Sequence, residues 1–204
     1  MASPDGGPRP RRVRLLLLVA ALVFVADLIS KTIVVATLSH RPPIRLLGGL
    51  LRLTELRNPG AAFSIGASSA VMTVIFSLIA VGVIIAILRT SRRLRSVPWA
   101  ITLGLLLGGA IGNLGDRIFR SPGPFRGYVV DWIQLPHWPV FNVADSCIVC
   151  GGVLAVLLAA RSVPLEGSHQ VPDGQPGGGP SAGGQRGGPA LADRPGNPAG
   201  DGSR

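Results

Sequence analysis

The sequence predicts an all-α integral membrane protein with four transmembrane helices and a small extracytoplasmic β-like segment between helices 1 and 2. Three observations predict it: four long apolar runs, a hydrophobic content of 47% with a mean hydropathy of +0.45, and arginines gathered beside those runs. A soluble domain of this size does not need so much apolar surface. The formal net charge of +10 raises the question of nucleic acid. No RNA- or DNA-binding motif accompanies it, however, and arginines flanking apolar runs are the pattern of topology signals. No nucleic-acid partner is expected.

Residues 1–14 form a basic N-terminal segment carrying Arg9, Arg11, Arg12 and Arg14, and the apolar run Leu15 to Leu38 follows at once. That run exceeds the roughly 20 helical residues that cross about 30 Å of hydrocarbon. A secretory signal peptide is the rival reading. Against it, the run is long, contains Asp27 and Lys31, and is succeeded by further spans. These run from about Val71 to Leu88, from Trp99 to Leu114 and from Val140 to Ala160. Four spans put both termini on one side. Arg89, Arg92, Arg93 and Arg95 between the second and third spans, with the basic N-terminus, assign that side to the cytoplasm. Arg41, Arg45, Arg52 and Arg57 on the opposite side make the bias incomplete.

Between the first two spans, Arg45 to Leu56 reads as two short strand-like stretches around Gly48-Gly49. The last outer loop holds Tyr128, Trp132 and Trp138, side chains that favour the headgroup level and equally serve core packing. The folded domain is expected to span 15–161. From Ser162 to Arg204 the chain is dominated by Gly, Pro and Ser, a composition expected to form a disordered cytoplasmic tail. Cys147 and Cys150 lie inside an apolar run. They lack the further ligands of a zinc site and the context of a redox motif, so they read as small buried helix residues.

Ionisable side chains inside membrane spans are costly and are usually functional or paired. Asp27 and Lys31 stand i, i+4 in the first span, which permits a local ion pair. The third span ends in Gly108-Gly109-Ala110-Ile111-Gly112-Asn113-Leu114-Gly115-Asp116-Arg117, a small-residue packing surface with a polar end. Asn113, Asp116 and Arg117 fall on one side of it and read as braces, with Asp116 and Arg117 pairing across the helix end or with other helices. Asp131 lies at the end of an outer loop, between Val130 and Trp132. Asp145 lies in the first turns of the last span, one turn after Asn142. If that loop folds back on the bundle, the two carboxylates meet, share a proton and titrate as a pair. Such a pair hydrolyses an amide without metal or nucleophile: one member takes a proton from water while the other donates to the carbonyl oxygen. Two separately solvated carboxylates are the other reading of the spacing.

Taken together, Asp27-Leu28-Ile29-Ser30-Lys31, Arg57-Asn58-Pro59-Gly60-Ala61-Ala62-Phe63-Ser64, Gly112-Asn113-Leu114-Gly115-Asp116-Arg117, Val129-Val130-Asp131-Trp132 and Phe141-Asn142-Val143-Ala144-Asp145-Ser146 resemble the lipoprotein signal peptidases, or signal peptidase II. The resemblance spans about residues 15–160. It implies an aspartic endopeptidase of the bacterial cytoplasmic membrane, with its site near the extracytoplasmic face, and a monomer is expected. Its implied substrates are prolipoproteins, cleaved just before a cysteine that already carries diacylglyceryl. Asp131 and Asp145 match the catalytic pair. Asn58, Asn113, Arg117 and Asn142 match positions that line or brace the site, as does Asp116 in the same block, and Asp27 and Lys31 match the polar pair of the first helix. Gly60 and its small neighbours would let the outer segment approach a peptide closely. The antibiotic globomycin is expected in the same cleft. Trp132 stands where Phe is usual, and Ser121-Pro122-Gly123-Pro124 looks like an insertion.

No cofactor and no metal are expected, and the partners are the substrate and membrane lipids. Two other classes remain open on the residues alone. A proton-coupled transporter is motivated by the intramembrane charges, although no internal repeat is visible. A lipid-handling scaffold would tolerate loss of either aspartate.

Overall fold

The structure is a computed structural model and describes residues 11–60 and 69–166. Its helices are α1 (Val13–Leu38), α2 (Ser69–Thr90), α3 (Val97–Phe119) and α4 (Val143–Ala160), and its strands are β1 (Ile44–Leu46), β2 (Leu51–Asn58) and β3 (Val129–Gln134). All four helices are long and apolar enough to cross a membrane. Hydrocarbon offers no partner to a backbone N–H or C=O, so apolar runs of this length satisfy those groups internally as helices. Hydroxyls on the outer face follow the same rule: Thr32 and Thr37 each donate to the carbonyl one turn back, at 2.7 Å.

The burial pattern is that of a protein whose solvent is lipid. Leu18, Leu22, Ile33, Leu78 and Val156 are all more than half exposed, whereas Asp27, Lys31, Thr73, Ser77, Asn113 and Asp116 are buried. α3 is the central helix, its apolar window 56% buried against 22%, 17% and 11% in α1, α2 and α4. Its small residues allow this. A Cβ on Gly108 would lie 2.6 Å from the Ala20 carbonyl oxygen of α1, and one on Gly112 would lie 2.6 Å from Asp27 Oδ2.

The two expected strand stretches are β1 and β2, paired antiparallel with Arg45 opposite Arg52. A third strand, β3, comes from the connection between α3 and α4 and completes a sheet of order β1-β2-β3. Asp131 therefore lies inside a strand, opposite Leu56, rather than at the end of a loop. After β3 the chain turns back. Phe141 N donates to Ile133 O at 3.0 Å, and the Phe141 carbonyl accepts from Trp132 N and Ile133 N. The fourth helix consequently starts at Val143 rather than Val140, because Phe141 is bridged to Ile133 of β3 and Asn142 caps the helix.

The folded part continues beyond the boundary expected at 161. Leu165 O accepts from Arg95 N and Ser96 N, and Val163 O accepts from Trp99 Nε1 at 2.8 Å. Of the tail expected from residue 162, residues 167–204 lie outside the described residues, as do residues 1–10 and 61–68. Cys147 is half-buried and Cys150 is exposed on the outward face of α4. This corrects the expectation that both are buried: α4 is too peripheral to cover that face.

Candidate active site

Asp145 is placed by the start of α4. Asn142 is the N-cap: its Oδ1 accepts from Asp145 N at 2.9 Å, and its own N–H donates back to Asp145 Oδ2 at 3.3 Å. This reciprocal capping box ties the carboxylate to the first turn, where the unpaired N–H groups of the helix favour negative charge. Asp145 Oδ1 also accepts from Asn113 Nδ2 of α3, at 2.7 Å.

Asp131 is placed by the sheet. In the antiparallel register Asn58 faces Val129, so Asn58 and Asp131 are diagonal neighbours on one face. Asn58 Nδ2 donates to Asp131 Oδ2 at 2.8 Å, and Asn142 Nδ2 donates to Asp131 Oδ1 at 2.6 Å. Asn58 is itself oriented by Gly60, whose N–H donates to Asn58 Oδ1 at 2.8 Å. Gly60 has a φ of +100°, and a Cβ there would lie 2.9 Å from the Phe76 ring, so the turn requires glycine. Asp131 is 1% exposed. Its burial pushes the carboxyl up to about 6, aided by the charge of Asp145 and opposed by the hydrogen bonds from Asn58 and Asn142 and by Lys31.

The two aspartates thus meet at one residue, Asn142. Behind them sits a buried charged cluster. Lys31 Nζ lies 2.6 Å from Asp27 Oδ2 and 2.9 Å from Asp116 Oδ2, and it donates to Asn113 Oδ1 at 3.0 Å. The local Asp27–Lys31 pair is as expected. Asp116 takes the second of its two expected options, another helix: its partners are Lys31 of α1 and Arg120 one turn on, not Arg117. Adjacent helix residues point about 100° apart, so Asp116 faces α1 while Arg117 faces α2. There the Arg117 guanidinium stands 5.8 Å from the centre of the Phe76 ring, and its Nη1 donates to Asn113 O at 3.2 Å.

Arg117, Asn113 and Asp145 stand with Asn58 and Gly60 at a cleft of about 440 Å³ whose walls are Phe76, Ile79 and Val83 of α2, Leu106 and Ala110 of α3, and Ile148 of α4. It is an apolar slot between helices with a polar end. A second groove, of about 430 Å³, lies on the other side of α3 against α1 and contains neither Asp131 nor Asp145. Among the described residues no three His, Cys, Asp or Glu side chains are grouped to hold a metal ion.

All ten expected site residues therefore belong to one connected arrangement, with Asp27, Lys31 and Asp116 on the far side of Asn113 from the cleft. Ala61 to Ser64, the rest of the outer motif, lie outside the described residues. Phe76 and Arg120 were not anticipated. The i, i+4 spacing of Asp116 and Arg120 would have found the second, whereas nothing local marks Phe76.

A family profile described as Signal peptidase (SPase) II matches residues 19–161. The lipoprotein signal peptidase of Streptomyces griseus subsp. griseus is 52% identical over 167 residues, covering 82% of this chain and 84% of the relative. That of Streptomyces coelicolor is 51% identical over 166 residues, covering 81% and 80%. A solved bacterial membrane enzyme, determined by the in meso method at 2.3 Å, has the same fold, with a TM-score of 0.64 and 24% identity over 81% of this chain and 99% of that one.

Proposed function

Because the chain belongs to the signal peptidase II family, we propose that it removes signal peptides from prolipoproteins with Asp131 and Asp145 as its catalytic pair. The protein is a multi-pass membrane peptidase acting on prolipoproteins. The observation that carries the dyad is the shared Asn142, which donates to one carboxylate through its side chain and to the other through its backbone.

Asp145, half-buried and lining the cleft, is the base that takes a proton from water. Asp131 is the acid, because burial holds its proton toward neutral pH, and it donates to the scissile carbonyl oxygen. As the tetrahedral intermediate collapses, the C–N bond breaks, the proton gained by Asp145 passes to the leaving amine, and a hydroxyl of the intermediate returns its proton to Asp131 as the carbonyl re-forms, so the pair again holds one proton. The apolar cleft between α2, α3 and α4 receives the signal peptide as a helix entering sideways from the lipid. The scissile bond lies before a cysteine whose diacylglyceryl chains stay in the bilayer. Asn58, whose amide donates to Asp131 Oδ2, withdraws for substrate.

The dyad is assigned to the extracytoplasmic face and both termini to the cytoplasm. Arg12 N donates to Leu94 O, so Arg12 and the Arg89–Arg95 connection stand at one end of the bundle, the end that positive charge marks as cytoplasmic. Cleft and dyad come from one chain, which supports a monomer in lipid as the working unit.

The test is cleavage of a diacylated prolipoprotein in vesicles by the wild type and by Asp131→Asn and Asp145→Asn. Only the wild type should cleave before the lipid-bearing cysteine, and globomycin, as an occupant of the cleft, should stop it. Full processing by either variant rejects the pair.

A further inference from the structure

The Lys31 ammonium has three hydrogens and three acceptors: Asp27 Oδ2, Asp116 Oδ2 and Asn113 Oδ1. Lys31 and Asp27 are each 1% exposed and Asp116 is 6% exposed, so these bonds are largely shielded from solvent. Each acceptor leads on to the dyad. Asp27 Oδ1 accepts from the backbone N–H of Ala144 at 3.0 Å, and Asp116 Oδ2 accepts from the backbone N–H of Val130 at 3.2 Å. Ala144 immediately precedes Asp145, and Val130 immediately precedes Asp131. Two carboxylates held by one ammonium therefore each grip the backbone next to one member of the pair.

The third route sets an orientation. Asn113 Oδ1 accepts from both Lys31 and Asn142, the latter at 3.2 Å, which leaves Asn113 Nδ2 to donate to Asp145 Oδ1. Without the ammonium, Asn113 Oδ1 keeps only the longer bond from Asn142, so the amide orientation that serves Asp145 is held by one donor fewer.

We propose that Lys31 is a positioning residue for the reaction, holding Asp145 through Asp27–Ala144 and Asn113, and Asp131 through Asp116–Val130. It touches no substrate, since Lys31 faces the α1 side of α3 and not the cleft. This inference rests on the assignment of Asp131 and Asp145 as the dyad.

Removing Lys31 alone strands two buried carboxylates and endangers folding, so the test uses charge-balanced pairs in the full-length protein reconstituted in vesicles. Asp27→Asn with Lys31→Met removes the ammonium. Asp116→Ala with Arg120→Ala removes the grip on Val130. A displacement of the dyad without loss of the cleft lowers kcat by roughly 10- to 100-fold per folded molecule and leaves KM within about twofold. A purely structural role instead lowers melting temperature and yield, with turnover per folded molecule unchanged. Turnover within about threefold of wild type in either folded pair overturns the proposal. On the unaltered protein, the Val130 and Ala144 amides should exchange hydrogen as slowly as helix-core amides, and fast exchange at either also overturns it. Asp131→Asn and Asp145→Asn run alongside. If they still cleave, the dyad itself is wrong; if they are inactive and the pairs are not, only the role of Lys31 is.

Discussion

Asn142 donates its side-chain amide to Asp131 Oδ1 at 2.6 Å. The same residue caps α4 and gives its main-chain N–H to Asp145 Oδ2, so one side chain both starts a helix and sets the spacing of the pair. Asn142→Ala should cost about 1 kcal/mol for the lost cap and about 100-fold in turnover for the misplaced carboxylate. Asn142→Ser keeps a capping oxygen but no amide donor. Its melting temperature should return toward wild type while cleavage stays low, and recovery of both together would show that capping alone matters.

Asp131 holds its proton up to about pH 6, above its ordinary 3.8. A raised carboxylate binds protons more tightly in the folded chain than in the unfolded one, so its contribution to stability is full below about pH 3.8 and is lost as pH rises through about 6. Melting temperature followed across this window should fall more steeply for wild type than for Asp131→Asn, which cannot titrate; parallel curves would contradict the shift. In activity, the deprotonation limb of kcat/KM should start near pH 6. Asn58→Ala removes a hydrogen bond that favours the ionised form, and should move that limb upward.

Gly112 and Gly115 form a matched pair. A Cβ at Gly112 meets Asp27 Oδ2 at 2.6 Å, whereas one at Gly115 meets nothing within 4 Å. Gly112→Ala should destabilise by about 1–3 kcal/mol and depress cleavage by moving Asp27. Gly115→Ala should be neutral or slightly stabilising. Thermal unfolding in detergent and the vesicle assay on both variants check this together.

Val83 lines the cleft from α2, while Val153 lies exposed on α4 away from it. Val83→Trp should fill part of the slot and raise KM for prolipoprotein several-fold with kcat nearly unchanged, the pattern of lost uniform binding. Val153→Trp should change neither. Equal effects from both would place the signal peptide elsewhere.

What was legible in the sequence was local. Four apolar runs, the i, i+4 pair Asp27–Lys31, the strand-like stretches around Gly48-Gly49 and the small residues of α3 each declare themselves within a few turns, because period and composition act over that range. The family motifs added which polar residues belong together. Asp116 shows where that reading stops: its spacing left open whether it pairs with Arg117 across the helix end or with another helix, and its angular position on α3 hands it to Lys31 of α1.

The sequence by itself determined that lipid is the solvent of this chain, how many times it crosses, and that its buried ionisable groups must find partners, since each of these follows from the cost of exposing polar groups to hydrocarbon. Only the tertiary structure decided which partners. Asn58 reaches Asp131 across 73 residues, and Asp27 reaches the backbone of Ala144 across 117. Contacts that distant depend on how β3 pairs with β2 and how closely α1 and α4 approach the glycines of α3, and no local spacing encodes them.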